Sequence, residues 1–158
     1  MTEYEKLLEN ANENNVSVYD HYDLTGTRLK GLYCDGTVAI SKELETDAER
    51  TCVLAEELGH HYTSYGNIID TNDTGNRKQE LRARIWAYNK QIGLSGIIRA
   101  YKARCMNKAD MAEFLGVTEQ FLTDALECYR RKYGVYVPVD NYIVGFEPRL
   151  YVIERITI

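Results

Sequence analysis

The sequence predicts an α+β fold organised as one domain, and three observations carry that expectation. The tripeptide Cys34-Asp35-Gly36 lies between two short alternating runs, and Asp-Gly favours the tight primed turn of a hairpin. Thr46, followed three residues later by Glu49, is a capping box at the head of a long, mostly apolar helical stretch. From Val135 onward the pattern returns to alternation, so helices stand between two groups of strands.

Taken in order, residues 3–13 set Tyr4, Leu7, Leu8 and Ala11 at helical spacing, and Asn14-Asn15 ends that helix. Val16 to Tyr22 reads as a strand and Leu29 to Ile40 as the hairpin, with Val38 and Ile40 alternating on its return strand. The helix opened by Thr46 should run to about Ser64, with Ala48, Cys52, Val53, Leu54, Ala55 and Leu58 covering most of its faces. Asn67 to Asn76 is polar and reads as a loop. A second helix follows over 77–91, with Leu81, Ile85 and Trp86 on its apolar side and Gly93 at its C′ position. Residues 95–134 read as short helices, capped by Asn107 and Thr118 and stopped by Gly116 and Gly134. Val135–Val139, Tyr142–Val144 and Leu150–Ile158 read as strands, with Gly145-Phe146-Glu147-Pro148 as the last turn. Residues 1–93 form the expected site-bearing core, and 94–158 the helical hairpin and C-terminal strands.

With 158 residues and a 44% hydrophobic fraction, the chain can bury a core without staples. No apolar run approaches the ~20 residues that span a bilayer. The acidic, polar start Met1-Thr2-Glu3-Tyr4-Glu5 does not read as a secretory signal, so a cytoplasmic location is expected. Cys34, Cys52, Cys105 and Cys128 stand far apart and form no Cys-x-x-Cys pair, which excludes a Cys-rich zinc module and predicts free, mostly buried thiols. The net charge of −5 argues against general nucleic-acid binding.

The chemistry-bearing stretch is Leu54-Ala55-Glu56-Glu57-Leu58-Gly59-His60-His61. Positions i and i+4 share a helix face, so Glu56 and His60 can point at one ion, with Glu57 beside that face and within reach of a bound water. This is the geometry of the H-E-x-x-H metalloprotease helix, with Glu in place of its first His. The same i,i+4 pair is also the pattern of a solvated salt link. Buried carboxylates are costly unless paired or bound to metal, and these sit at the end of an otherwise apolar helix. Glu80, at the head of the next helix, would bring the protein ligands to the three that a hydrolytic zinc site uses.

These runs, with Lys30-Gly31-Leu32-Tyr33-Cys34-Asp35-Gly36 before them and Glu80-x-x-Ala83-x-x-Trp86-Ala87 after, resemble the ImmA/IrrE family of metallopeptidases. The resemblance covers residues 1 to about 92 closely and the rest loosely. It implies a gluzincin-like fold, a Zn2+ ion held by Glu56, His60 and Glu80, and Glu57 as the general base. It further implies proteolysis of a cognate helix-turn-helix repressor encoded on a phage or mobile element. One departure stands out: most members have His where this chain has Glu56. The added negative charge should make the ion a weaker Lewis acid.

Other candidates read as structural. His61 points about 100° from His60 on the helix and is expected to pack or hydrogen-bond on another side. His21 is expected at the surface. Asp70 and Asp73 belong to a solvated loop, Tyr62 and Tyr65 to packing, and Arg82 and Arg84 to salt links. Residues 109–128 resemble a helix-turn-helix, but the second helix carries Glu119, Asp124 and Glu127 without a basic residue over 118–129, so a structural hairpin without direct nucleic-acid contact is expected. Two rival functions remain: a non-catalytic protein that grips the repressor, and a DNA-binding regulator using residues 107–131.

Overall fold

Thr2 nucleates helix α1 (Glu3–Glu13) through a full capping box, its hydroxyl accepting from Glu5 N–H (3.1 Å) while the Glu5 carboxylate accepts from Thr2 N–H (2.7 Å). Strands β1 (Ser17–Tyr22), β2 (Gly31–Cys34) and β3 (Thr37–Ser41) follow. Asp35 and Gly36 both take positive φ, 44° and 76°, which is the primed turn expected between β2 and β3. The sheet order is β1-β3-β2: β1 runs parallel to β3, and β2 antiparallel to it. Helix α2 (Asp47–Thr63) packs on β2, β3 and α1, burying Leu54, Ala55 and Leu58 completely against a core that includes Leu7, Val38 and Ile40.

The computed structural model describes residues 1–64 and 73–156, and the chain divides into two compact units, Met1–Lys90 and Gln91–Ile158. The division falls three residues before the internal boundary read from the sequence. Helix α3 (Asp73–Gln91) begins four residues earlier than expected, so residues 73–76 are helical rather than loop. Its buried face is also a correction. Leu81 is 54% exposed, and small residues, Ala83 and Ala87, are buried completely. Tyr65 and Asp70 lie outside the described residues.

The second unit holds helices α4 (Gly93–Lys102), α5 (Lys108–Leu115) and α6 (Glu119–Tyr133), then strands β4 (Tyr136–Val139), β5 (Tyr142–Gly145) and β6 (Tyr151–Glu154) in an antiparallel sheet of that order. Asn107 and Thr118 accept from the N–H groups of Asp110 and Phe121 as N-caps, and Gly116 stops α5 at φ 72°. Helices α5 and α6 bury Met111, Ala112, Leu115, Phe121, Leu122 and Ala125. At the end of α6, Arg130 makes two hydrogen bonds to Glu127 (2.6 and 2.9 Å) and one to Glu147 (3.0 Å), while Arg131 reaches Glu127 at 3.2 Å. These arginines hold Glu127 down at about 2. Arg130 and Arg131 are thus engaged with carboxylates of the same unit.

Candidate active site

Helix α2 begins where Thr46 accepts from Glu49 N–H at 3.1 Å, with Asp47 and Glu49 in the first turn facing the positive end of the helix dipole. The capping box is only half made, because the Glu49 carboxylate reaches the N–H of Glu45 (3.4 Å). The last turns carry Glu56, Glu57, His60 and His61.

His60 meets Glu80 of α3, Nε2 to Oε1 at 3.3 Å, with the imidazole 22% and the carboxylate 54% exposed. The two residues, 20 apart in sequence, therefore converge from two helices. Glu57 lies on the β2 side of α2. A Cβ placed on Gly31 would stand 3.0 Å from Glu57 Cγ and 3.1 Å from its Oε1, so the strand backbone rests directly on this side chain. Burial pushes the Glu57 carboxyl up to about 7, and the charges of Glu56 and Glu80 add to that rise.

The second contact that sequence reasoning missed is Gly59, buried in α2 one residue before His60. A Cβ there would sit 2.9 Å from Ala83 C and 3.0 Å from Ala83 Cα, and closer still to the Ala83 carbonyl oxygen. Glycine inside a helix costs about 0.5–1 kcal/mol relative to alanine. That cost was the available signal, since a glycine in a helical pattern asks for a packing reason.

His61 points away from the His60–Glu80 pair in its bonding. Tyr33 Oη is hydrogen-bonded to His61 Nδ1 at 2.7 Å and accepts from Gly36 N–H at 3.1 Å. Tyr62 donates to Asn10 Oδ1 (3.1 Å) and stacks on Trp86, with ring centroids 4.9 Å apart and planes at 27°. Both are packing roles, as expected. His21 is exposed. Arg82 and Arg84 are exposed. None of the four cysteines is in a disulfide, and Cys34 is exposed rather than buried.

The donor chemistry fits a divalent cation. Glu80 meets the His60 imidazole, and Glu57, raised first by burial, also feels the charges of Glu56 and Glu80, which a cation would offset. Imidazole with carboxylates suits zinc and its neighbours in the first transition row. Among the described residues, no group of three or more His, Cys, Asp or Glu side chains stands where it could hold a metal ion. His60 and Glu80 approach each other, and Glu56 stands one turn before His60 on the same helix.

No curated protein and no solved structure matches the chain. The family model for peptidase M78, the IrrE N-terminal-like domain, matches residues 10–127, from within α1 to within α6 and across both helices of the site. With more than half of its length matched, the chain belongs to the ImmA/IrrE, or M78, family of peptidases.

Proposed function

We propose that this chain is a zinc-dependent endopeptidase in which Glu56, His60 and Glu80 hold the metal and Glu57 is the general base. One observation carries the reading: a carboxyl raised to about 7 lies beside a His–Glu pair contributed by two helices. When bound, the ion supplies Lewis acidity to a water and to the scissile carbonyl. Glu57 accepts the water's proton and delivers it to the leaving nitrogen as the C–N bond breaks, so one proton passes from water to amine. The Gly31 backbone lies against one side of the Glu57 side chain.

The substrate class in this reading is a cognate helix-turn-helix repressor, cut in the cytoplasm of a cell carrying the phage or mobile element. The resemblance supports it, and so does size. A first unit of one small sheet and three helices offers little wall for a deep cleft, so recognition energy must come from a docked protein surface. No described helix is long and apolar enough to cross a membrane.

Metal analysis of the purified chain should give one zinc per chain, and a chelator should abolish cleavage of the neighbouring repressor. Cleavage that survives chelation would remove the metal-dependent reading. Rapid breakdown of casein with the repressor left intact would remove the narrow substrate range. The half-exposed Glu80 and the Glu at position 56 favour one second reading, a non-catalytic protein that grips the repressor. A repressor that binds tightly and stays uncut would establish it.

A further inference from the structure

We propose that Gly59 is a positioning residue for the metal pair: its missing side chain sets the α2–α3 separation at which the Glu80 carboxylate reaches the His60 imidazole. The inference rests on the metal-dependent reading above.

Gly59 is three residues after Glu56 and one before His60, on the flank of α2 that meets α3. Thr63 donates its hydroxyl to the Gly59 carbonyl (2.7 Å), one turn further along. All three atoms that a Cβ at 59 would strike belong to the Ala83 backbone: its carbonyl oxygen, its carbonyl carbon and its Cα. A side chain could rotate away from such a clash, but a hydrogen-bonded helix backbone can only move as a body. Ala83 is completely buried and lies three residues after Glu80, so displacement at Ala83 is carried to Glu80 one turn away. The His60–Glu80 distance of 3.3 Å is already beyond the usual 2.7–3.2 Å of a hydrogen bond between nitrogen and oxygen, which leaves the pair little slack. Gly31 differs in kind. A Cβ there meets Val53 Cγ1 and the Glu57 side chain, atoms that can turn aside. Alanine is also the better helix former, so a loss on Gly59→Ala cannot come from local propensity.

The test uses the full chain, stripped of metal, with zinc affinity read by competition with a fluorescent chelator and coordination read from the visible bands of the cobalt form. Gly59→Ala should bind zinc at least tenfold more weakly and lose intensity in the cobalt bands, while its metal-free far-ultraviolet dichroism stays that of a helical fold. A purely structural role would lower the melting temperature and leave affinity and cobalt spectrum unchanged, and that result would overturn the proposal. If Gly59→Ala does not fold, Ala83→Ser adds one atom at the same crossing and should weaken zinc several-fold; parent-like affinity there would overturn it equally. His60→Gln and Glu80→Gln separate the two readings. If they lose zinc while the crossing variants keep it, only the positioning role fails. If they too bind as the parent does, the metal reading itself fails.

Discussion

Glu57 on α2 and Glu127 on α6 are the same side chain on the same kind of element, yet their carboxyls stand at about 7 and about 2. Around Glu127 the chain supplies its own cations, Arg130 and Arg131, in the last turn of the same helix, and solvent reaches the group freely. Around Glu57 it supplies burial, a glycine backbone and two more carboxylates. The first arrangement is complete within the chain and does no more than tie a helix end to the β5–β6 turn through Glu147. In the second, like charges face the buried Glu57, and the His60 imidazole comes to Glu80. A buried carboxyl held among like charges is therefore the more informative of the two.

The contrast can be broken most directly at Glu57. Glu57→Gln should keep zinc and fold but lower repressor cleavage by about 10²–10⁴-fold, the usual share of general acid–base catalysis. Single-turnover cleavage at the parent rate would remove Glu57 from the mechanism. Next in size is the ligand pair. Loss of an outer-shell partner typically costs a metal site about 10–100-fold in affinity, so His60→Gln should weaken zinc by about 100-fold or more, measured by chelator competition.

The raised carboxyl makes a third expectation, about pH. Below the ordinary 4.5 of a glutamate, Glu57 is protonated whether the chain is folded or not, and its burial costs nothing. Between 4.5 and about 7 the unfolded chain releases this proton and the folded one keeps it, so the metal-free fold loses stability as pH rises and levels off above about 7. The loss is at most about 3 kcal/mol at 1.36 kcal/mol per pH unit. In urea unfolding of the metal-free protein, Glu57→Gln should flatten this part of the profile, and so should saturating zinc in the parent. Parallel profiles for parent and variant from pH 4.5 to 7 would contradict the environment described for Glu57. The smallest effect belongs to the other region. Arg130→Gln breaks solvent-exposed pairs, which contribute little to stability, so it should shift the melting temperature by a few degrees at most and leave zinc affinity untouched.

Local signals in the sequence translated well. Asp35-Gly36 specified its turn, Thr46, Asn107 and Thr118 their caps, and Gly116 its stop, because each depends on a few neighbouring residues. The i,i+4 geometry placed Glu56 and His60 on one face, and Glu80 does come to His60. What could not be read locally is how backbones meet. Nothing in the strand residues says that β1 pairs with β3 rather than β2, since a parallel pair is fixed by the path of the chain between them. The apolar residues of α3 suggested Leu81 as a core position, whereas the helix comes in close on Ala83, where it faces a glycine. Gly31 and Gly59 stood only as members of longer motifs and turn out to be contact surfaces. A glycine's role in close approach depends on a partner many residues away, so its place in a helical pattern can ask for a packing reason without naming the partner.

Trp86 is the chain's one tryptophan, and it stacks on Tyr62 across the same pair of helices that carries His60 and Glu80. The indole is thus a built-in gauge of the gap between α2 and α3. Ring stacking at 4.9 Å responds to shifts of an ångström, and so does the local polarity that sets emission wavelength. Excited at 295 nm, where tyrosine scarcely absorbs, the protein should report any change in that gap by its own light, with no label attached and no substrate needed.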